Sequence, residues 1–320
     1  MVETAPARSP TRPPMRSYCV GWPGGGAGRR RPARRHVVAM DAVTFAAVIV
    51  AASLHAAWNA IIKLGLDQFL SMTLLSVVSG LISLAFIPFL PLPAMEAWPF
   101  LAATVCCHTG YKLFLLQAYK AGDLGQVYPL ARGTAPLIVA VVGVALLSEH
   151  LAPLAWAGIA VLVGGVWLMS LRGGRDLARM ERKGVMAALA TSAFIAGYTL
   201  IDGTGARIAG TASGYTVWLF LFDGIAMASI AAVLRGPSAF MRMSGAWKGG
   251  AVAGALSLGA YWIAIWAMTR APIAMVAALR ETSVLFAVLI SAAVLKEPLT
   301  RWRTAAALLI VGGAAALRLG

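Results

Sequence analysis

The sequence predicts an all-α integral membrane protein of ten transmembrane helices, arranged as two inverted five-helix repeats. Three observations predict it. Of 320 residues, 60% are apolar and 12% charged, against about 45–50% and about 25% in soluble domains. So few charges cannot cover a water-facing surface of this size. Beyond residue 40, apolar runs alternate with short polar breaks, and each run approaches the ~20 residues that cross a ~30 Å hydrocarbon core at ~1.5 Å rise per residue. Finally, the chain echoes itself, with Arg132, Thr134, Glu149 and Leu151 falling on Arg280, Thr282, Glu297 and Leu299 at one displacement of 148 residues. The ~10-residue alternating segments of a transmembrane β-barrel are absent.

Residues 1–39 stand apart. They carry eight Arg against Glu3, with many Pro and Gly, so they hold +7 of the chain's net +15 and leave +8 for the rest. Such a composition buries too little apolar area to offset its ordering entropy, and the segment is expected to be disordered. It reads as a nucleic-acid arm, as a juxtamembrane tail drawn to anionic lipid, or as an upstream extension that is not translated, with Met40 as the start. Because the +15 is divided between this tail and the loops, no nucleic-acid partner is expected. The segment is no secretory signal, since no short apolar core with a small-residue cleavage site follows the basic run.

The spans follow in order. The first, 41–63, ends on Lys63, and the second, 70–90, stops before Pro91 and Pro93. The third, 98–118, precedes Lys120 and Gly122-Asp123, and the fourth, 126–147, precedes Glu149-His150. The fifth, 151–171, completes a first repeat over 41–171 and enters a basic linker loop at 172–183. The second repeat, 184–318, holds spans at 184–203, 212–234, 246–268, 273–295 and 301–318, punctuated by Arg207, Arg235-Gly236-Pro237, Arg270 and Lys296-Glu297-Pro298. Gly158, Gly164, Gly165, Gly250, Gly254, Gly312 and Gly313 are small residues of the kind that let membrane helices approach closely. Five spans per repeat is an odd number, so the second copy inserts upside down relative to the first. Inverted repeats around a midplane cavity are a transporter architecture, because rocking one against the other alternates access.

Loops after odd-numbered spans hold most Lys and Arg, including Arg172, Arg175, Arg179, Arg182 and Lys183. By the positive-inside rule these loops are cytoplasmic and both termini outside. The Arg-rich tail argues the opposite. A chain starting at Met40 has only Asp41 ahead of its first span and removes the opposition.

A charged side chain at the bilayer centre costs about 2.5–3.5 kcal/mol on insertion scales, so the few deep ones are the candidate substrate-binding residues. Arg132 and Arg280 sit well inside spans four and nine. Each could chelate a carboxylate in two parallel hydrogen bonds, or form a structural ion pair with Glu281, Asp202 or Asp223. Tyr128, Arg132 and Pro136 share a stripe, and the proline suggests an opened turn. In span three His108 and Lys112 share a face. Lys112 is a possible proton carrier if buried, and His108 titrates nearest neutrality when unperturbed. A His bonded to a neighbouring carbonyl is the alternative. His55 and Asn59 lie one turn apart beside Trp58 and could bind substrate or clip two helices. Tyr261 and Trp262 are deep enough to line a cavity. Asp202 and Asp223 are the acidic candidates, whereas Lys63, Asp67, Lys120, Glu149 and Glu297 lie near span ends, where they can snorkel or serve helix termini.

The Trp58-Asn59-x-x-x-Lys63 opening resembles that of EamA-type proteins of the drug/metabolite transporter superfamily. So does the paired pattern of P-L-A-R-x-x-x-P (129–136), an apolar helix, Glu-x-Leu and a Gly-rich helix. The resemblance covers about residues 41–318. It implies ten helices in two inverted halves and carriage of small metabolites, commonly outward, across a bacterial-type inner membrane. Ala277 replaces Pro129, and Tyr198-Thr199 replaces Trp58-Asn59, so the halves depart from symmetry. Small multidrug exporters of the superfamily resemble one another in a mid-span Glu in the first helix. No acid stands between Asp41 and Lys63 here, which disfavours simple cation antiport.

The expected function is a secondary transporter of a small metabolite bearing a carboxylate, an amino acid or organic acid, driven by its own gradient or by protons. A lipid-acting membrane enzyme would need a clustered acid/base, nucleophile or metal set such as H-E-x-x-H, and the sequence shows none. A membrane scaffold or sensor with the tail as effector is the other alternative. The chain has no ATP-binding Gly-rich loop, and its three Cys (Cys19, Cys106, Cys107) lack C-x-x-C spacing, so no cofactor or metal is expected.

Overall fold

The computed structural model describes residues 40–61, 66–121, 124–171, 182–294, 296 and 300–320, and the side chains of all these except 116–131, 170, 171, 184 and 294. The tail 1–39, Lys63, Asp123, most of the 172–183 linker and Glu297 therefore lie outside the described residues, as does the side chain of Tyr128.

Among the described residues every regular element is helical. The helices are α1 (Ala42–Ile61), α2 (Gln68–Phe86), α3 (Trp98–Ala121), α4 (Leu124–Leu146), α5 (Pro153–Leu171), α6 (Arg182–Ile208) and α7 (Ala212–Arg235). They continue as α8 (Ser238–Ser244), α9 (Trp247–Met268), α10 (Ile273–Arg280), α11 (Ser283–Val294) and α12 (Arg301–Leu319). Seven stretches among the described residues are long and apolar enough to cross a membrane: those of α1, α2, α6, α7, α9, α10 with α11, and α12. Several starts are set by side-chain caps. Asp67 accepts from the Leu70 amide at 3.1 Å and Thr211 from the Gly214 amide at 3.0 Å, satisfying donors that a helix leaves unpaired.

Two local expectations are corrected. Pro136 opens no break, because α4 runs through it without interruption. The break falls instead in the ninth apolar run, where Glu281 and Thr282 separate α10 from α11. There the amides of Glu281 and Thr282 bond the carbonyls of Ala278 and Leu279, each at 3.0 Å, and those of Val284 and Leu285 bond Glu281 and Thr282 at 3.1 and 2.9 Å. These i→i+3 bonds form a tightened 3₁₀-like turn. A further short helix, α8, follows the Gly236-Pro237 break.

The helices pack chiefly as α5 with α12, α3 with α6, α2 with α7, α1 with α9, and α4 with α6. Exchanging α1–α5 for α6, α7, α9, α10–α11 and α12 leaves this pairing scheme essentially unchanged. The two self-matched pairs meet at glycines. A Cβ on Gly313 would sit 2.6 Å from the Leu162 nitrogen and 2.7 Å from the Gly158 carbonyl oxygen; one on Gly224 would sit 2.8 Å from the Ser76 carbonyl oxygen. Close backbone approach replaces hydrophobic drive as the source of helix association in lipid. Gly164 and Gly312 face open space, with nothing within 4 Å, so not every predicted contact glycine is one. The two non-glycine residues with positive φ among those described, Ser148 and Lys296, both at 54°, occupy matching places in the 148-residue repeat. The α10 helix is the centre of the core, with Ile273 through Leu279 all buried.

Candidate functional site

Buried and half-buried polar residues of α1, α2, α3, α4, α7, α9 and α10 line one open cavity, whose space together with the solvent at its mouth is about 690 Å³. Trp58, Met72, Leu75, Phe220, Tyr111, Tyr198 and Tyr261 give it an apolar, aromatic wall; Ser76, Ser79 and Ser257 add hydroxyls. A smaller space of about 270 Å³ lies alongside, lined by Pro136, Thr199 and Glu281 and sharing Arg132, Ile195, Tyr198 and Arg280 with the first.

Three cations line the cavity among the described residues: Lys112, Arg132 and Arg280. Two are neutralised. The Lys112 ammonium donates to both Asp223 carboxylate oxygens at 2.6 Å and to Ser76 Oγ at 2.7 Å. Arg132 grips Glu281 as a fork, Nε to Oε2 at 3.1 Å and a terminal nitrogen to Oε1 at 2.9 Å, and its other terminal nitrogen contacts His55 Nε2. All four partners are at least nine-tenths buried. Buried charges persist in low dielectric only when paired in this way. Arg280 differs. Among the described residues it makes neither an ion pair nor a hydrogen bond, and its guanidinium lies 4.8 Å from the centroid of the Tyr261 ring, a cation–π seat.

Behind Tyr261, Asp202 is wholly buried. Its carboxylate accepts from Tyr215 Oη at 3.1 Å, lies 3.2 Å from His108 Nε2, and accepts from the Tyr261 hydroxyl. His108 in turn stacks on Tyr198, ring centroids 4.1 Å apart. Helices α3, α6, α7 and α9 thus converge on one acid.

Of the residues singled out by sequence, His55, Trp58, His108, Lys112, Arg132, Asp223, Tyr261 and Arg280 line the larger cavity. Asp202 and Glu281 stand one layer behind, on His108 and Arg132. Asn59 turns away, its amide bonding the His55 carbonyl of its own helix at 2.8 Å. Trp262 also lies outside the cavity lining and donates to Ser213 Oγ at 3.0 Å. His108 meets a carboxylate rather than a carbonyl, and Asp223 meets a lysine rather than an arginine. Glu149 does not snorkel. It receives the amides of Ile273 at 2.8 Å and Ala274 at 3.4 Å and a 3.1 Å bond from Arg207, capping α10 as an anion at a helix N-terminus. Sequence reasoning passed over Ser76, Tyr198 and Tyr215 as site groups. Hydroxyls and tyrosines in apolar helices carry no spacing signal of their own.

These features define a multi-pass helical membrane protein with a pocket lined by buried charged and aromatic side chains. The sequence profile of the EamA-like transporter family matches residues 43–171 and again 182–319, and the chain belongs to that family. No curated protein sequence matches it. Among 29 solved chains that match, one crystal structure superposes with a TM-score of 0.66 at 20% identity, over 87% of this chain and 96% of that one. At that identity the likeness speaks for the fold.

Proposed function

We propose that the protein is a secondary transporter that carries a small carboxylate-bearing metabolite, an amino acid or organic acid, outward across a bacterial-type inner membrane by alternating access. In this reading the chain makes ten crossings, as two inverted five-helix repeats over 41–171 and 184–318 joined by the 172–183 loop. The exchange-invariant helix pairing and the doubled family match support that arrangement, and the break between α10 and α11 is the kind of discontinuity that transporters place at a midplane site.

The observation that carries the substrate class is Arg280. It is the cavity cation that no described carboxylate neutralises, and a guanidinium presents two parallel donors to a carboxylate. Arg132 with Glu281, and Lys112 with Asp223, hold the walls. Trp58, Tyr198, Phe220 and Tyr261 would receive the apolar body of the substrate. The indole N–H of Trp58 is buried and without a partner among the described residues, a donor a substrate oxygen could satisfy.

Flux measured in proteoliposomes against a panel of amino acids, organic acids and their neutral amide analogues tests this. Carboxylates should be carried and their amides not, and Arg280→Ala should lose the flux. Undiminished carboxylate flux in Arg280→Ala would remove the residue from the site.

A further inference from the structure

The Tyr261 side chain joins two features that the transport reading leaves separate. Its ring seats the Arg280 guanidinium at 4.8 Å, and its hydroxyl donates to Asp202. One aromatic ring therefore stands between the anion receptor and a wholly buried carboxylate. The other ionisable pairs near the cavity cancel internally. Counting Arg280 as positive and the His108–Asp202 pair as singly negative, the charge near Arg280 sums to zero. A proton on that pair leaves the site at +1, and an anionic substrate restores neutrality. In a low-dielectric site such charges interact strongly.

We propose that a proton on the His108–Asp202 pair and a carboxylate on Arg280 bind together, so that substrate and proton cross in the same direction, one for one. This rests on the carboxylate reading of Arg280. The proton comes from the solvent on the side where the anion binds and leaves to solvent where the anion is released; no covalent bond changes. The imidazole and the carboxylate lie 3.2 Å apart, within hydrogen-bond reach, so they form one shared proton site. The complex moves without net charge for a monoanion. An outward substrate gradient then drives export of what is in effect the neutral acid, and an inward proton gradient drives the same cycle in reverse.

The groups facing the pair come from every element packed around it. Tyr215 on α7 and Tyr261 on α9 donate to Asp202. Tyr198 on α6 stacks on His108, and the Cys107 thiol of α3 lies close enough to feel the Asp202 charge. From α10 comes Arg280. Asp223 on α7 also acts on His108 electrostatically, but Lys112 neutralises it. The Arg132 charge of α4 is likewise met by Glu281. Arg280 is thus the cavity cation without a described carboxylate partner, and Tyr261 bridges it to the pair.

The test uses sodium benzoate as an aromatic monocarboxylate probe and benzamide as its neutral counterpart. Purified full-length protein in weakly buffered detergent is titrated with each from about pH 5 to about pH 9, a window centred near the ordinary imidazole range, with an indicator dye counting protons. Benzoate binding should take up close to one proton wherever the unliganded pair holds none, and its affinity should fall roughly tenfold per pH unit there, the limit for one linked proton. Benzamide should take up none. Asp202→Asn and His108→Gln should bind benzoate with far smaller uptake. Benzoate binding without proton uptake across the window overturns the proposal and leaves the carboxylate site standing. Wild-type uptake in Asp202→Asn overturns it as well. If benzoate does not bind, or Arg280→Ala binds it unchanged, the site reading itself fails and takes the coupling with it. Should the Asp202 variant not fold, the wild-type proton count decides.

Discussion

Replacing Lys112 by Met exposes what the buried pairs contribute. In the native protein both Asp223 oxygens sit 2.6 Å from the ammonium, and the acid is 3% exposed. Removing the lysine leaves a carboxylate inside a helix bundle with its charge unmatched. Breaking one partner of a buried pair destabilises by about 3–5 kcal/mol, whereas replacing both by apolar groups of similar volume is often neutral or stabilising. With about 2–4 °C per kcal/mol for domains of 150–250 residues, Lys112→Met should lower the unfolding midpoint by roughly 6–20 °C. Asp223→Leu should do the same by stranding the ammonium, and the Lys112→Met/Asp223→Leu double variant should recover most of the loss. Thermal unfolding of the three proteins in one detergent, followed by intrinsic tryptophan fluorescence, reads this directly. Single variants that melt with the wild type, or a double variant no better than the singles, would refute the view that these charges are a mutually neutralising wall.

Other outcomes follow from particular contacts. Gly313→Val forces a branched side chain onto the Gly158 and Leu162 backbone and should destabilise by at least the ~1–3 kcal/mol of an overpacked core, while Gly312→Ala, facing open space, should leave the melting point unchanged or slightly raised; parallel melts separate them. Glu149→Ala should destabilise by about 1.5–3 kcal/mol per charged hydrogen bond lost, with hydrogen exchange accelerating at the Ile273 and Ala274 amides that the carboxylate caps. Just ahead of α1, the Thr44 hydroxyl and amide hold the Asp41 carboxyl below the usual carboxylate range. A depressed folded value means the cap is present above that range and is lost as pH falls through it. Amide protection at the start of α1 should therefore weaken under acid in the wild type, and Asp41→Asn should remove that pH dependence.

Apolar runs, the 148-residue echo and the family motifs were legible because membrane insertion demands long apolar segments and because repeats duplicate rare residues such as Arg132 and Arg280 together. That Arg132 would be matched with Glu281 was open among three acids, since partner choice depends on how α4 faces α10. The break at Glu281-Thr282 carried no Gly or Pro to announce it. Pro136, which looked like a breaker, sits in a continuous helix, as prolines in membrane helices can when neighbours re-satisfy the freed carbonyl. Glu149 read as a span-end acid that could snorkel or serve a helix terminus, but which helix it caps was hidden, because the Ile273 and Ala274 amides lie more than 120 residues away. Arg280 stood out only by contrast. Its lack of a carboxylate partner is a property of the assembled bundle rather than of its own helix.

The ratio of benzoate to benzamide affinity, in the wild type and in Arg280→Ala, tests the central claim most directly. A charge-assisted hydrogen bond contributes about 1.5–3 kcal/mol, so the wild type should favour the carboxylate by roughly 10-fold to more than 100-fold at low pH, and Arg280→Ala should bring the ratio close to one. A ratio that survives the loss of Arg280 would contradict the account, because the remaining cavity cations, Lys112 and Arg132, are already paired with carboxylates.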